Sequence, residues 1–434
     1  MSKRAVSKRA MTEPKASERA SSERAPSDRV ARRRPPIALL GPAFVAAVAY
    51  VDPGNVAANL TAGARYGYML VWVLVLSNSM AMLIQYLSAK LGLVTGRSLP
   101  QVIGDRTRRG PRLAFWVQAE LIAAATDLAE VVGGAIALHL LFGLPLLWGG
   151  LIVGVVSMAL LSVQSQRGQR PFEFVVVGLL AVISLGFIAG LFVHDVSVTG
   201  IVGGLVPRFE GSESVLLAAS MLGATVMPHA IYLHSALVRD RHGTNLTPER
   251  IRRLIGVTRW DVSLSLAVAG SVNIAMLLVA AANLGGAART DSIEGAHAAI
   301  ESSLGTGIAL LFAIGLLASG LASTSVGCYA GSTIMEGLTR FRVPLLVRRA
   351  VTLVPAFVVL ATGVSPTWAL VLSQVFLSLG IPFALIPLVR LTSRADVMGE
   401  HANGRPMRLA GWAAVAIIVA LNLVLVSLAV GGFG

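Results

Sequence analysis

Eleven hydrophobic segments follow one another along the chain, near residues 37–60, 68–94, 113–141, 144–163, 172–193, 213–237, 257–284, 304–335, 344–362, 367–390 and 409–430. Each runs about 20 residues or more, the length at which an α-helix crosses the hydrocarbon core of a bilayer. A transmembrane β-barrel is excluded, because its strands are short and alternate apolar with polar positions. The pattern predicts an all-α polytopic membrane protein with 11 transmembrane helices. Residues 1–35 break the pattern, with eleven Lys or Arg, four Asp or Glu and a loose Ser-[Lys/Glu]-Arg-Ala repeat. That stretch has too little apolar surface to offset ordering entropy and is predicted to be a disordered tail. No apolar stretch follows the start closely enough for a cleaved signal peptide.

Composition agrees with the pattern. Of 434 residues, 55% are hydrophobic and 13% charged, against about a quarter charged in soluble domains. Mean hydropathy is +0.74. The formal charge of +14 invites a nucleic-acid reading, but placement of the charges removes it. With the tail cytoplasmic, 31 of the 36 Lys and Arg fall on the tail and the even-to-odd loops, while Arg65, Arg208 and Arg289 fall opposite. This is the positive-inside asymmetry; it predicts a cytoplasmic N-terminus and an external C-terminus. Cys328, the single cysteine, permits no internal disulfide or cysteine-based metal site. None of the four lysines is followed by Ser or Thr, so there is no Walker A loop and ATP hydrolysis in this chain drives nothing.

Two segments are interrupted. The first contains Asp52-Pro53-Gly54-Asn55 and the sixth Met227-Pro228-His229. Proline removes a backbone donor and clashes with the preceding turn, and glycine adds backbone freedom, so both helices are predicted to break. First and sixth are matching positions if the first ten spans form two five-helix halves, which an odd span count places in opposite orientations. The chain then divides into the tail 1–35, a first inverted repeat 36–194, a second 195–391, and a loop with the eleventh span, 392–434. One proline often only kinks a packed helix. Two breaks at matching positions, each beside a polar or ligating side chain, point to a transport site near the membrane midplane.

The residues at the breaks indicate a substrate class. Asp52 offers an anionic oxygen, Asn55 a neutral one and Met227 a soft thioether, beside carbonyls freed by unwinding. A carboxylate at mid-span costs about 2.5–3.5 kcal/mol on insertion scales and needs a function or a partner. One negative charge with neutral oxygens and a sulfur suits a divalent cation. The sulfur favours a transition metal over Mg²⁺ or Ca²⁺, although methionine also fills apolar gaps in ordinary cores.

At these residues the sequence resembles the Nramp (natural resistance-associated macrophage protein) divalent-metal transporters, in their bacterial MntH type. The matching stretches are Asp52-Pro53-Gly54-Asn55, Met227-Pro228-His229 with Tyr232-Leu233-His234-Ser235, Gln85-Tyr86-Leu87-Ser88-Ala89-Lys90, and Ser373-Gln374-Val375 through Ile381-Pro382-Phe383-Ala384. They extend from the first span to the tenth, and neither core motif departs from the family pattern; the long basic tail is the unusual part. The resemblance implies a LeuT-type 5+5 inverted repeat with broken helices 1 and 6, in a bacterial inner membrane. It implies import of Mn²⁺ and Fe²⁺ with protons moving in the same direction, the metal being substrate rather than cofactor. Carried over by position, Asp52, Asn55 and Met227 are metal-binding side chains, the carbonyls of Ala49 and Ala224 are further ligands, and Gln374 approaches the ion when the outer gate closes.

A second polar group lies in the third span, where Asp127 and Glu130, three residues apart, share one helix face. Arg348 and Arg349 open the ninth span, and four such charges facing lipid separately would cost roughly 12 kcal/mol. Pairing across helices is therefore expected, either as a structural ion-pair network or as a proton path. His229 and His234 are the other groups that titrate near neutral pH. The resemblance links the matching residues to proton movement, giving a path from Asp52 through His229 or the Asp127–Glu130 pair toward the arginines. Rival readings are a sodium-coupled symporter of organic solutes, a passive channel and an intramembrane metalloenzyme. The first usually lacks the Asp–Met pair, the second needs a ring of repeated ligands around an axis, and the third lacks His-Glu-x-x-His and three clustered strong ligands. The chain is read as a transporter, not an enzyme, working as a monomer with metal ions, protons and lipid as its partners.

Overall fold

The computed structural model describes residues 41–431 apart from 168, 189–190, 192–195, 285–291 and 340–342. The tail expected at 1–35, together with His194 and Arg289, lies outside the described residues. All regular elements among the described residues are helical. In chain order, α1 (Pro42–Val48) runs into a 3₁₀ turn, Ala49–Val51, and α2 (Pro53–Tyr66) follows. Next come α3 (Val71–Thr95), α4 (Leu99–Arg106), α5 (Arg109–Phe142), α6 (Leu146–Arg167), α7 (Gln169–Ile188) and α8 (Val198–Gly204). Then α9 (Gly211–Thr225) and α10 (Pro228–His242) are separated by the second break, before α11 (Pro248–Asn283), α12 (Ile293–Leu304) and α13 (Thr306–Thr339). The last are α14 (Leu345–Thr362), α15 (Pro366–Thr392), α16 (Ala395–Met398) and α17 (Arg405–Gly431).

Over the described residues, each predicted segment coincides with a helix or, at the two interruptions, with a pair of half-helices. Seven helical stretches among the described residues have the length and apolarity of a bilayer span, and Pro42–Val51 and Leu146–Ala159 are shorter apolar helices. That count, taken by length and apolarity over the described residues with Pro53–Thr95 as one stretch, leaves the expected eleven crossings untested. Helices α4, α8 and α12 were not predicted, because they are short and sit in what composition reads as loops.

The most apolar window of Gly211–His242 is completely buried within the protein, whereas that of Arg405–Leu428 is only 33% buried. The broken pair α9–α10 is therefore an axial element, and α17 a peripheral one. Small residues let helices meet at backbone distance, as membrane packing requires: a Cβ on Gly63 of α2 would lie 2.4 Å from the Leu277 carbonyl of α11. After α15 the chain is tied back by Asn403, whose side chain donates to Thr392 Oγ1 and accepts from Lys90 Nζ, both at 2.9 Å. Beside it, hydrogen bonds from Arg394 and then Arg106 hold the Asp396 carboxyl well below the usual range.

Candidate metal site and its polar surroundings

The two helix breaks face each other. At the first, Asp52 is extended (φ −84°, ψ 167°) and its carboxylate accepts from the Asn55 backbone N–H at 2.8 Å, capping α2. This follows locally from the sequence: an aspartate satisfies an orphan donor, and proline at the first helical position has none to satisfy. A continuous helix would bond the Tyr50 and Val51 carbonyls to residues 54 and 55. Here side chains from other helices take them, Asn273 Nδ2 donating to Tyr50 O at 2.7 Å and Ser319 Oγ to Val51 O at 2.5 Å. The break is thus held open by α11 and α13 as well as by its own proline, because buried carbonyls must find donors.

Asn55 bridges the breaks. Its Nδ2 donates to Asp52 Oδ1 at 2.9 Å and to the Ala224 carbonyl at 2.8 Å. Ala224 stands near the end of α9, and Met227 (φ −73°, ψ 122°) precedes α10. From α15, Gln374 Nε2 donates to Asp52 Oδ2 at 3.4 Å. Asp52, Asn55, Ala224, Met227 and Gln374 have no exposure at all, and Ala49 in the 3₁₀ turn has 1%. Two glycines admit Gln374: an added Cβ at Gly54 would sit 1.8 Å from its Nε2, and one at Gly223 would sit 2.1 Å from its backbone oxygen. The first clash is relieved by swinging a side chain, the second only by separating α9 from α15. Gly223→Ala should therefore lower the thermal unfolding midpoint in detergent more than Gly54→Ala does, by an overpacking cost of about 1–3 kcal/mol.

Among the described residues no three His, Cys, Asp or Glu side chains are grouped as a metal site. The donors that converge are a single carboxylate, an amide and a backbone carbonyl, with a thioether beside them. Such a set suits a cation that must leave again better than one held permanently.

The second polar group is larger than the sequence indicated. Arg349 pairs with Asp127, lies 3.9 Å from Glu130 and donates to Ser157 Oγ at 3.3 Å. Arg348 does not join them. Its Nε faces both oxygens of Glu120, at 3.2 and 3.1 Å. Glu120 escaped the sequence reading because it lies near the start of a long helix, yet its spacing of seven and ten residues from Asp127 and Glu130 puts all three on one face. Both arginines are buried, at 7% and 1% exposure, so they are not interfacial anchors. Glu130 lies within electrostatic reach of Asp52 as well as Asp127.

The histidines separate. His229 Nδ1 lies 3.4 Å from Thr126 Oγ1, and the ring is within electrostatic reach of Asp127. His234 Nδ1 instead faces Gln85 Oε1 at 2.8 Å, and Gln85 Nε2 donates to the Tyr50 hydroxyl at 2.6 Å. His234 is thereby tied to the turn before Asp52, not to the carboxylates of α5. Asn59 Nδ2 donates to Asn273 Oδ1 at 3.1 Å, and Asn273 also holds the first break.

A family model for natural resistance-associated macrophage protein-like proteins matches residues 43–428. The chain belongs to the Nramp family. It is similar to the divalent metal cation transporter MntH of Mycobacterium tuberculosis, with 60% identity over 394 residues covering 91% of this chain and 92% of that protein. The corresponding Deinococcus radiodurans transporter is 45% identical over 388 residues, 89% of this chain and 88% of the other. Among solved structures, the Eremococcus coleocola manganese transporter superposes with a TM-score of 0.81 at 32% identity, covering 90% of this chain and 86% of that one. MhsT, solved with L-phenylalanine, shares the fold alone, at a TM-score of 0.62 and 12% identity over 88% of this chain and 97% of that one. The Nramp protein described here is accordingly a membrane-embedded divalent metal cation transporter of LeuT-type fold. It is not an enzyme, and its metal is cargo rather than cofactor.

Proposed function

We propose that this transporter imports Mn²⁺ and Fe²⁺ by alternating access, with protons moving in the same direction. The observation that carries the reading is the convergence of Asp52, Asn55, the Ala224 carbonyl and Gln374 where two helix breaks meet, with buried Met227 at the second break. Asp52, Asn55, Met227 and the carbonyls of Ala49 and Ala224 bind the ion, and Gln374 closes over it. The Asn55 amide now donates to two of these oxygens. A cation arriving between them takes over that role, and rotation of the amide turns its own oxygen toward the ion. The Met227 thioether then favours a transition metal over Ca²⁺.

Proton coupling follows from competition and from charge. A protonated Asp52 binds metal poorly, so proton and metal exchange at that residue, and apparent Mn²⁺ affinity falls as external pH falls. Along α5, three carboxylates (Glu120, Asp127 and Glu130) face two guanidiniums, Arg348 and Arg349. One bound proton brings that cluster to neutrality, which fits it to carry protons released near Asp52, by way of His229 or Glu130. His234, held by Gln85 beside the Tyr50 hydroxyl, is the second histidine assigned to the proton route and also positions the first break. The two inverted repeats are assigned to 36–194 and 195–391. On the charge asymmetry of the loops we assign the N-terminus to the cytoplasm and the C-terminus to the outside, and we assign the protein to a bacterial inner membrane as a monomer.

Mn²⁺ flux into proteoliposomes holding an internal pH dye tests this. Wild type should admit Mn²⁺ with acidification. Met227→Ala should keep Mn²⁺ entry but admit Ca²⁺ in competition, with Mn²⁺-over-Ca²⁺ preference reduced about tenfold, or 1.4 kcal/mol. Absence of Mn²⁺ entry by folded wild-type protein would sink the substrate assignment.

A further inference from the structure

Half-helix α1 lacks an N-terminal cap of its own. Its cap comes from a residue 220 positions away in the chain. Asp261 of α11 accepts the Gly41 N–H on Oδ1 and the Ala43 N–H on Oδ2, each at 3.1 Å. The carboxylate is buried, at 4% exposure, and Ser265 Oγ donates to the Asp261 carbonyl at 2.7 Å. Twelve residues further along the same helix, Asn273 holds the Tyr50 carbonyl in the 3₁₀ turn that continues α1 at its other end. One helix thus grips α1 at both ends, a carboxylate on its N–H end and an amide donor on its C=O end, as the helix dipole favours.

The mechanics give the two grips different roles. Asp52 is an extended joint, so α1 can pivot there without dragging α2. Near that pivot, the Asn273 bond has little leverage. Asp261 acts at the far end, beside Gly41, whose φ of 144° is open to glycine and strained for other residues. With the orientation read above, that far end lies on the cytoplasmic side, and the sealed site reaches the cytoplasm only if some element there moves aside.

We infer that Asp261 is the latch of the inner gate, a positioning residue that holds α1 over the cytoplasmic exit until transport releases it. This rests on the alternating-access reading but not on which metal is carried.

The test uses full-length protein in oriented proteoliposomes without metal, bearing an Ala46→Cys reporter on α1 in a Cys328→Ala background. A membrane-impermeant maleimide is applied from each face. Asp261→Asn removes the charge and leaves one N–H facing an N–H. It should speed labelling from the cytoplasmic face about tenfold, the shift expected for one lost hydrogen bond to a charged group, with the outer-face rate unchanged. Asp261→Glu should return the rate toward wild type. Ala43→Pro, which deletes one donor at a first-turn position where proline is tolerated, should act in the same direction while Asp261 remains. Equal rates in all variants overturn the latch, and so does faster labelling from both faces, which marks a generally loosened protein. If Asp261→Asn gains cytoplasmic labelling while wild type fails to take up Mn²⁺, the latch stands and the substrate assignment falls.

Discussion

Asp52→Asn should abolish saturable Mn²⁺ uptake while leaving a folded protein. The isosteric amide keeps an oxygen that accepts the Asn55 N–H, now at 2.8 Å, so the cap of α2 survives. What is lost is the single anionic ligand where the two breaks meet. Outer-shell changes around metals typically cost 10–100-fold in affinity, so removal of a charged direct ligand should cost about 100-fold or more. Asp52→Ala should transport no better and should also lose the cap, lowering stability by about 1 kcal/mol. Isothermal titration with Mn²⁺ beside thermal unfolding separates the two effects. Near-wild-type Mn²⁺ affinity in Asp52→Asn would move the site elsewhere. In wild type, Mn²⁺ affinity should fall as pH is lowered from 8 toward 5, and Asp52→Asn should lose whatever pH dependence that carboxylate supplies.

The second large effect is expected at Arg349. It is fully buried against Asp127 and Glu130, and no other cation pairs with either of them among the described contacts. Removing one partner of a buried pair strands the other charge, at about 3–5 kcal/mol. Arg349→Met should accordingly fold poorly or melt well below wild type. Arg349→Lys keeps the charge but loses the planar fork that serves several acceptors. It should fold, take up Mn²⁺ and acidify the vesicle interior less per ion than wild type does. An unchanged proton-to-metal ratio in Arg349→Lys would reduce the cluster to an ion-pair network that fixes helix register. Arg348→Lys offers a comparison, because its partner Glu120 lies a further two turns along α5 from Asp127.

Much of this protein is determined by chain-local physics. Runs of about 20 apolar residues require spanning helices whatever their neighbours are, because bare backbone cannot be left in hydrocarbon. Proline at 53 and 228 obliges both breaks, and aspartate ahead of proline supplies the cap. The face shared by Asp127 and Glu130 follows from helical period alone. Tertiary structure decided the pairings, which depend on helices distant in sequence. It took Arg348 away from Asp127 and Glu130 to Glu120, assigned His234 to Gln85 and Tyr50, and turned Asn273, Ser319 and Asp261 into supports of the first half-helix. None of these three carries a motif: each is a polar residue on a largely apolar span, and it bonds a backbone group of the first half-helix or its turn. Backbone donors and acceptors look alike in every sequence, so only the packed fold shows which of them a buried side chain must satisfy.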